Sequence, residues 1–322
     1  KQNVSIKSKF YRRLAYDEII ANLLVLSEVR KRVKKYKKKK KSFDITLQRK
    51  LIRNFNFSLT SNQESIIDEI NNDIKSDYKM FRLLQGDVGS GKTIISLIAA
   101  ANVIKSNYQV AFMAPTEILS LQHFNLAKKI FKGTEIEINF LSSKSEYREK
   151  KIILENLSNG KTNLVIGTHS LFQKNIKFKN LGLCIIDEQH KFGVKQRSQL
   201  AKKGGNNCDV LLMSATPIPR TMMMSLYGDM DISKILEKPA KRKKVITLSK
   251  PEKKVNELWS FINKQINLDN QIFWVCPLIK ESSFLDYASV KKKFDIINKK
   301  FPNKVALIHG ALDKIEKEKI LN

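Results

Sequence analysis

Cysteine is nearly absent from this sequence: Cys184, Cys208 and Cys276 are the three among 322 residues. They are scattered, lack metal-ligand spacing, and each lies in or beside an apolar strand-like run. That argues against a disulfide framework and leaves core thiols of a reducing compartment. Histidine is also scarce, at four residues; His123 and His309 stand isolated, and no cluster supports a zinc site. Acidic residues are in deficit, 31 Asp and Glu against 60 Lys and Arg, for a formal net charge of +29. No apolar run is long enough to span a bilayer, so no membrane association is expected. No signal peptide is visible, although the chain begins at Lys1 rather than Met, which makes that a weak sign.

A positive excess of this size points to a polyanionic partner or to compositional bias, since Lys, Asn and Ile are abundant throughout. Its distribution is uneven. Residues 1–56 hold 18 Lys/Arg against 4 Asp/Glu, most of them in RKRVKKYKKKKK, Arg30 to Lys41. This run reads either as a nucleic-acid contact or as a solvated helix end.

Length sets a prior of two domains, or one and a fraction. Residues 10–33 place Tyr16, Ile19, Ile20, Leu23, Leu24 and Val29 at helical spacing. They predict a long helix that packs on something. Around FSLTSNQESIIDEI, Thr60 or Ser61 is placed to cap a helix. From residue 81 onward, apolar runs at 81–85, 109–114, 136–141, 163–166, 182–186 and 209–213 alternate with helical stretches at 92–105, 117–132 and 146–159. Such alternation implies an α/β fold with a mostly parallel sheet covered on both faces. Residues 237–254, basic and without apolar rhythm, read as an interdomain linker. Beyond it, a helix near 252–267 and strands at 271–276 and 304–309 would begin a second α/β unit.

The chemistry concentrates in LLQGDVGSGKT, residues 83–93. Gly86-x-x-x-x-Gly91-Lys92-Thr93 is the phosphate-loop pattern, here between an apolar strand and an apolar helix as the motif requires. Successive N–H groups at a helix N-terminus form an anion nest. Gly86, Asp87, Val88, Gly89, Ser90, Gly91, Lys92 and Thr93 are therefore the candidate nucleotide-binding residues. Lys92 would reach the β/γ-phosphates, and the Thr93 hydroxyl would coordinate Mg²⁺. LCIIDEQH supplies the carboxylates such a site needs. Asp187 follows an apolar strand and would hold Mg²⁺; Glu188 would act as general base on water. Ser214 and Thr216, in MSATPIPRT, are small hydroxyls at another strand end, placed to sense the γ-phosphate.

In their order these motifs resemble the superfamily 2 helicases and translocases. LLQGDVGSGKT, MAPTEILSLQH, IIDEQHKFGVKQR and SATPIPRTMMM together resemble the RecG family of branched-DNA helicases. The transcription–repair coupling translocases share several of these runs, but usually carry Phe at the position of Ser90 and Glu at that of Gln189. A nucleotide switch without motor function, or a passive nucleic-acid binder, fits the motif set less well.

The resemblance implies a RecA-like motor: a helical connector over 1–56, a first ATP-binding lobe over 57–240, and the linker and start of a second RecA-like lobe over 241–322. It implies adenine recognition by Gln63 with Phe57 nearby, and DNA phosphate contacts from Thr116, Thr168 and His169. It assigns coupling of hydrolysis to movement to His190, Ser214 and Thr216, with catalysis resting on Lys92, Asp187 and Glu188. ATP and Mg²⁺ are the implied cofactors, branched or duplex DNA the partner, and a cytoplasmic monomer the expected form. No Arg follows Arg242, so an arginine finger of a second lobe matches no residue here. The expectation is a chain that binds ATP and DNA but hydrolyses ATP slowly.

Overall fold

The computed structural model describes residues 8–34, 37–55, 57–142, 147–173, 176–188, 205–216, 230–237, 245–251, 255–276 and 283–309, with positions 312, 316 and 319–320. The chain divides into two compact units, Lys1–Lys243 and Lys244–Asn322.

The first unit opens with α1 (Lys9–Lys34), α2 (Ile45–Phe55) and α3 (Ser61–Lys75). It continues with β1 (Phe81–Gly86), α4 (Lys92–Lys105), β2 (Gln109–Met113), α5 (Glu117–Ile130) and β3 (Ile138–Leu141). Then follow α6 (Tyr147–Asn159), β4 (Leu164–Gly167), β5 (Leu181–Ile186), β6 (Asp209–Ser214) and β7 (Asp231–Ile235). The strands form one sheet in the order β3-β4-β2-β5-β6-β1-β7, and every pairing in it is parallel.

Alternation along each strand divides the core. Leu84, Val110, Phe112, Leu183, Ile185, Leu211 and Met213 point to the face shared with α2, α3, α4 and α5. Leu83, Ala111, Met113, Cys184, Ile186, Val210 and Leu212 point to the other, with Leu157 of α6. Because successive side chains of a strand face opposite ways, a run apolar at every position is what a sheet covered on both faces demands. α4 is buried from Ile94 through Ile104, so the helix after the phosphate loop is a core element and its N-terminus is held in place.

Thr60 caps α3 with a complete capping box: its side chain accepts from the Gln63 N–H, and the Gln63 side chain accepts from the Thr60 N–H. α1 forms over the expected span, but Phe10, Leu14, Tyr16, Ile19, Leu24 and Val25 are exposed. The expected packing of this helix is thus not found among those residues: helical periodicity forms the helix, and no described element covers these side chains.

The lysine run is corrected more sharply. Lys38 and Lys41 are neither solvated nor placed for nucleic acid; both are buried. Lys38 Nζ lies 2.7 Å from Asp209 Oδ1 and Lys41 Nζ 2.7 Å from Asp209 Oδ2, with all three side chains 0% exposed. Lys38 also donates to the Asp73 carbonyl and Lys41 to the Asn207 carbonyl. Asp209 Oδ1 accepts the Met80 N–H as well. Every polar group is engaged, which is the condition under which buried charges are tolerated. The segment is a strap that ties the N-terminal helices to the start of β6. Lys37, Lys39 and Lys40 are exposed.

In the second unit, α7 (Val255–Asn267) and α8 (Ser283–Lys300) are helices. The strands expected at 271–276 and 304–309 are not found: residues 271–276 and 305–309 run without regular structure. An apolar run becomes a strand only when a neighbour completes its ladder, and among the described residues of this unit none does. Trp274 instead stacks on Trp259 of α7, ring centroids 5.1 Å apart. No described helix is long and apolar enough to cross a membrane.

Candidate functional site

Parallel pairing brings the ends of β4, β2, β5, β6, β1 and β7 to one edge of the sheet, in that spatial order. The residues following them are Thr168, Thr116, Asp187 and Glu188, Ser214 to Thr216, the phosphate loop, and Glu237. Ligands of open parallel sheets bind outside this carboxyl edge. The candidate nucleotide residues occupy one end of the row and the candidate DNA residues the other, with Asp187 between them.

The loop after β1 turns at Asp87, whose carbonyl accepts the Ser90 N–H and whose Oδ1 accepts the Val88 N–H. Gly89 (φ 73°) and Gly91 (φ 93°) take the left-handed backbone that only glycine adopts without strain. A Cβ at Gly91 would lie 2.3 Å from Gln63 Nε2. Lys92 Nζ donates to the Gly86 and Asp87 carbonyls, so the loop is folded around its own cation. Burial lowers the Lys92 pKa, and the charges of Asp187, Glu188 and Asp87 oppose that. The first N–H groups of α4 have no helical partners, and Ser90 Oγ is buried without a hydrogen-bond partner. Orphan N–H donors, an ammonium, and the oxygen donors Thr93 and Asp187 suit a phosphate with a hard divalent cation.

Gln63 is 5% exposed. Its Nε2 donates to the Ser90 carbonyl at 2.7 Å and its Oε1 accepts the Thr60 N–H at 2.9 Å. One amide thus joins the cap of α3 to the phosphate loop. Phe57 is exposed and stands edge-on to Phe55.

Asp187 is fixed by its neighbours. Its N–H donates to the Met113 carbonyl at the end of β2, its Oδ1 accepts the Glu188 N–H at 3.0 Å, and its Oδ2 lies 2.8 Å from His123 Nε2. Glu188 has φ 49°, a left-handed conformation that costs a non-glycine residue energy and is common where function constrains the backbone. His123, expected to be isolated, therefore belongs to the site. His123 closes the MAPTEILSLQH run, but nothing local signals its contact with Asp187: the pair is 64 residues apart in sequence.

Ser214 Oγ and Thr216 Oγ1 are 3.0 Å apart, and Gln85 Nε2 donates to the Thr216 carbonyl. This links the end of β6 to that of β1. Thr116 caps α5 by accepting the Leu119 N–H and is exposed. Thr168 precedes a short 3₁₀ turn, His169–Phe172, and makes no side-chain cap bond. The side chain of His169 lies outside the described residues, as do Gln189, His190, Lys191, Lys195, Arg197 and residues 217–221. Glu237 was also not anticipated: after β7 its carboxylate accepts from the Ser61 hydroxyl and the Asn62 N–H at the start of α3.

Cys184 and Cys208 are buried with their sulfurs 3.3 Å apart, whereas Cys276 is half-buried. Burial pushes the Cys184 thiol well up, so it behaves as a core side chain. Among the described residues no group of His, Cys, Asp and Glu could hold a metal by itself.

Against known proteins, the family model for DEAD/DEAH box helicases matches residues 60–225. The ATP-dependent DNA helicase RecG of Thermotoga maritima is 42% identical over 311 residues, a match covering 96% of this chain and 40% of that protein. A solved structure of RecG bound to a three-way DNA junction superposes with TM-score 0.79 at 37% identity, over 96% of this chain and 40% of that one. Mss116p bound to ssRNA and AMP-PNP shares the fold, with TM-score 0.60 at 17% identity over 85% of this chain and 60% of that one. The chain spans about 40% of the length of the RecG relatives it matches.

Proposed function

This chain belongs to the DEAD/DEAH box helicase family, and on that premise we propose that it is the ATP-driven motor part of a DNA helicase of the RecG type, acting on branched DNA such as stalled forks and Holliday junctions in recombination and repair. The observation that carries this reading is the row of side chains along one carboxyl edge: Thr168, Thr116, Asp187–Glu188, Ser214–Thr216, then the phosphate loop. The 37% identity to a RecG bound to a three-way DNA junction supports the choice of substrate class.

In this reading ATP seats its phosphates on residues 86–93, with Lys92 leaving the carbonyls of its own loop for the β/γ-phosphates. Gln63, already bonded to Ser90, presents its amide to the adenine. Mg²⁺, held by Thr93 and Asp187, supplies neutralisation of phosphate charge. Glu188 takes the proton of the attacking water. Ser214, Thr216 and His190 relay the state of the γ-phosphate. Thr116, Thr168 and His169 grip DNA phosphates, contacts that set register without reading sequence. The protein works as a cytoplasmic monomer, and its DNA affinity falls steeply with salt because the contacts are electrostatic. Residues 1–56 serve as connector and 241–322 as the linker and start of a second lobe. Without an arginine after Arg242, turnover by this chain alone is slow, since an arginine finger is worth about 10³–10⁵ in rate.

The test is Mg-ATP turnover and binding of a fluorescent ATP analogue, with and without a four-way DNA junction, beside Lys92→Ala. We expect Lys92-dependent nucleotide binding with turnover near background. Nucleotide binding that ignores Lys92→Ala would sink the site assignment. Brisk DNA-stimulated turnover would overturn the statement that the chain alone is impaired.

A further inference from the structure

His123 closes the MAPTEILSLQH run in α5, a run assigned to DNA through Thr116 and not to the nucleotide, yet it makes a direct side-chain contact with the candidate metal carboxylate. The Nε2–Oδ2 distance is 2.8 Å, and both side chains are only 11% exposed. An ionised carboxylate can only accept, so Nε2 carries the proton and donates. The ring is held in turn. It packs on Phe112, centroids 4.7 Å apart, and Phe112 is 0% exposed in the middle of β2. Thr116 caps the helix two turns earlier, and the Asp187 N–H is pinned to the neighbouring strand at Met113.

Three constraints therefore act on one carboxylate: the strand bond to its backbone, the Glu188 N–H on Oδ1 and the His123 N–H on Oδ2. Each carboxylate oxygen still has a second lone pair. The histidine leaves room for a cation or its water while removing the freedom of the carboxylate to rotate away. A metal-binding carboxylate is itself commonly hydrogen-bonded, and loss of such a partner costs about 10–100-fold in metal affinity.

We propose that His123 is a positioning residue that holds the Asp187 carboxylate in the orientation that takes up the Mg²⁺ of Mg-ATP. The inference rests on the ATP-motor reading above. It adds that α5, which begins at the candidate DNA contact Thr116, also sets the geometry of the metal site.

The experiment titrates Mg²⁺ into the protein with a fluorescent ATP analogue, for wild type, His123→Leu, His123→Asn and His123→Gln. Analogue affinity in EDTA and thermal melting in EDTA are measured alongside. Gln carries its donor at nearly the reach of Nε2, whereas Asn falls short and Leu has none. His123→Leu and His123→Asn should need at least about 10-fold more Mg²⁺ for half-maximal binding, with affinity in EDTA unchanged. His123→Gln should recover most of the shift. If Leu does not fold, Asn decides the matter. Wild-type Mg²⁺ dependence in folded His123→Asn would overturn the proposal, and so would a folded His123→Gln as impaired as Asn. If wild type itself shows no Mg²⁺-dependent nucleotide binding, the ATP-motor reading falls instead, and the two failures are told apart.

Discussion

At the amino edge of the sheet Asp209 enters β6 between Lys38 and Lys41; at the carboxyl edge Asp187 and Lys92 stand at the ends of β5 and β1. The residue types are the same and their use is opposite. Around Asp209 both ammoniums sit at 2.7 Å with 0% exposure, and the Asp73, Asn207 and Met80 backbones fill further valences. Around Lys92 the donors go to carbonyls of its own loop, and the loop holds Gly89 and Gly91 at positive φ. Around Asp209 the charged groups are buried and paired with one another, which leaves none of them exposed to a further partner. The carboxyl edge keeps orphan N–H groups and a cation that can be redirected, which is what a ligand requires. Burial lowers the pKa of both Lys38 and Lys92. A depressed lysine alone thus does not mark a functional site; open valence beside it does.

Asp209→Asn breaks the comparison at its strongest point. It leaves two ammoniums buried without their anion, and removing one partner of a buried pair costs about 3–5 kcal/mol. The urea midpoint should fall accordingly, while the folded fraction binds an ATP analogue like wild type. An unfolding free energy within ~0.5 kcal/mol of wild type would show that the amino edge is not sealed. Lys92→Ala is the mirror case. Binding of the ATP analogue should weaken by about 10–100-fold as a charge-assisted contact is lost, with little change in melting, because among the described residues Lys92 bonds only to loop carbonyls it can surrender. Next comes Gly91→Ala, which places a Cβ 2.3 Å from Gln63 Nε2 at φ 93°. Strain of about 1–3 kcal/mol is expected, together with weaker nucleotide binding as Gln63 is displaced. Thr60→Ala removes the α3 cap for about 1 kcal/mol, read by chemical denaturation.

The same contrast explains what was legible in the sequence. Five of the sheet's strands were visible because strands buried on both faces read as continuous apolar runs, and the edge strand β3 because Ile136, Ile138 and Phe140 alternate with polar residues. β7 was not, since Asp231, Ser233 and Lys234 interrupt its five residues at the sheet's edge. The phosphate loop and Asp187–Glu188 are local patterns, so both were read from their own neighbourhoods. α2 was missed because Arg49, Lys50 and Arg53 mask the stripe that buries Leu51. The lysine run was misread for a related reason: its decisive partner, Asp209, lies 171 residues from Lys38. His123–Asp187 is likewise a tertiary contact, invisible to spacing. In the second unit, apolar runs at 271–276 and 304–309 carried strand-like composition, but a ladder needs a partner that composition cannot reveal.

Glu237 tests the comparison where it is weakest. Hydrogen bonds from the Thr60 hydroxyl, the Asn62 N–H and the Ser61 hydroxyl hold its carboxyl below the ordinary 4.5. An anion at a helix N-terminus is also favoured by the dipole. A carboxyl depressed on folding contributes stability that is present above its unfolded pKa and is lost as pH falls through the folded value. Glu237→Gln should therefore lower the melting temperature slightly at neutral pH, and the two curves should converge as pH drops below about 4.5. Because this carboxylate is exposed, salt near 1 M should erase most of the difference, whereas the loss from Asp209→Asn should persist in the same salt. A Glu237→Gln deficit that survives high salt would mean that the cap of α3 is as sealed as the amino edge. Exposure would then not be what separates the two kinds of carboxylate in this fold.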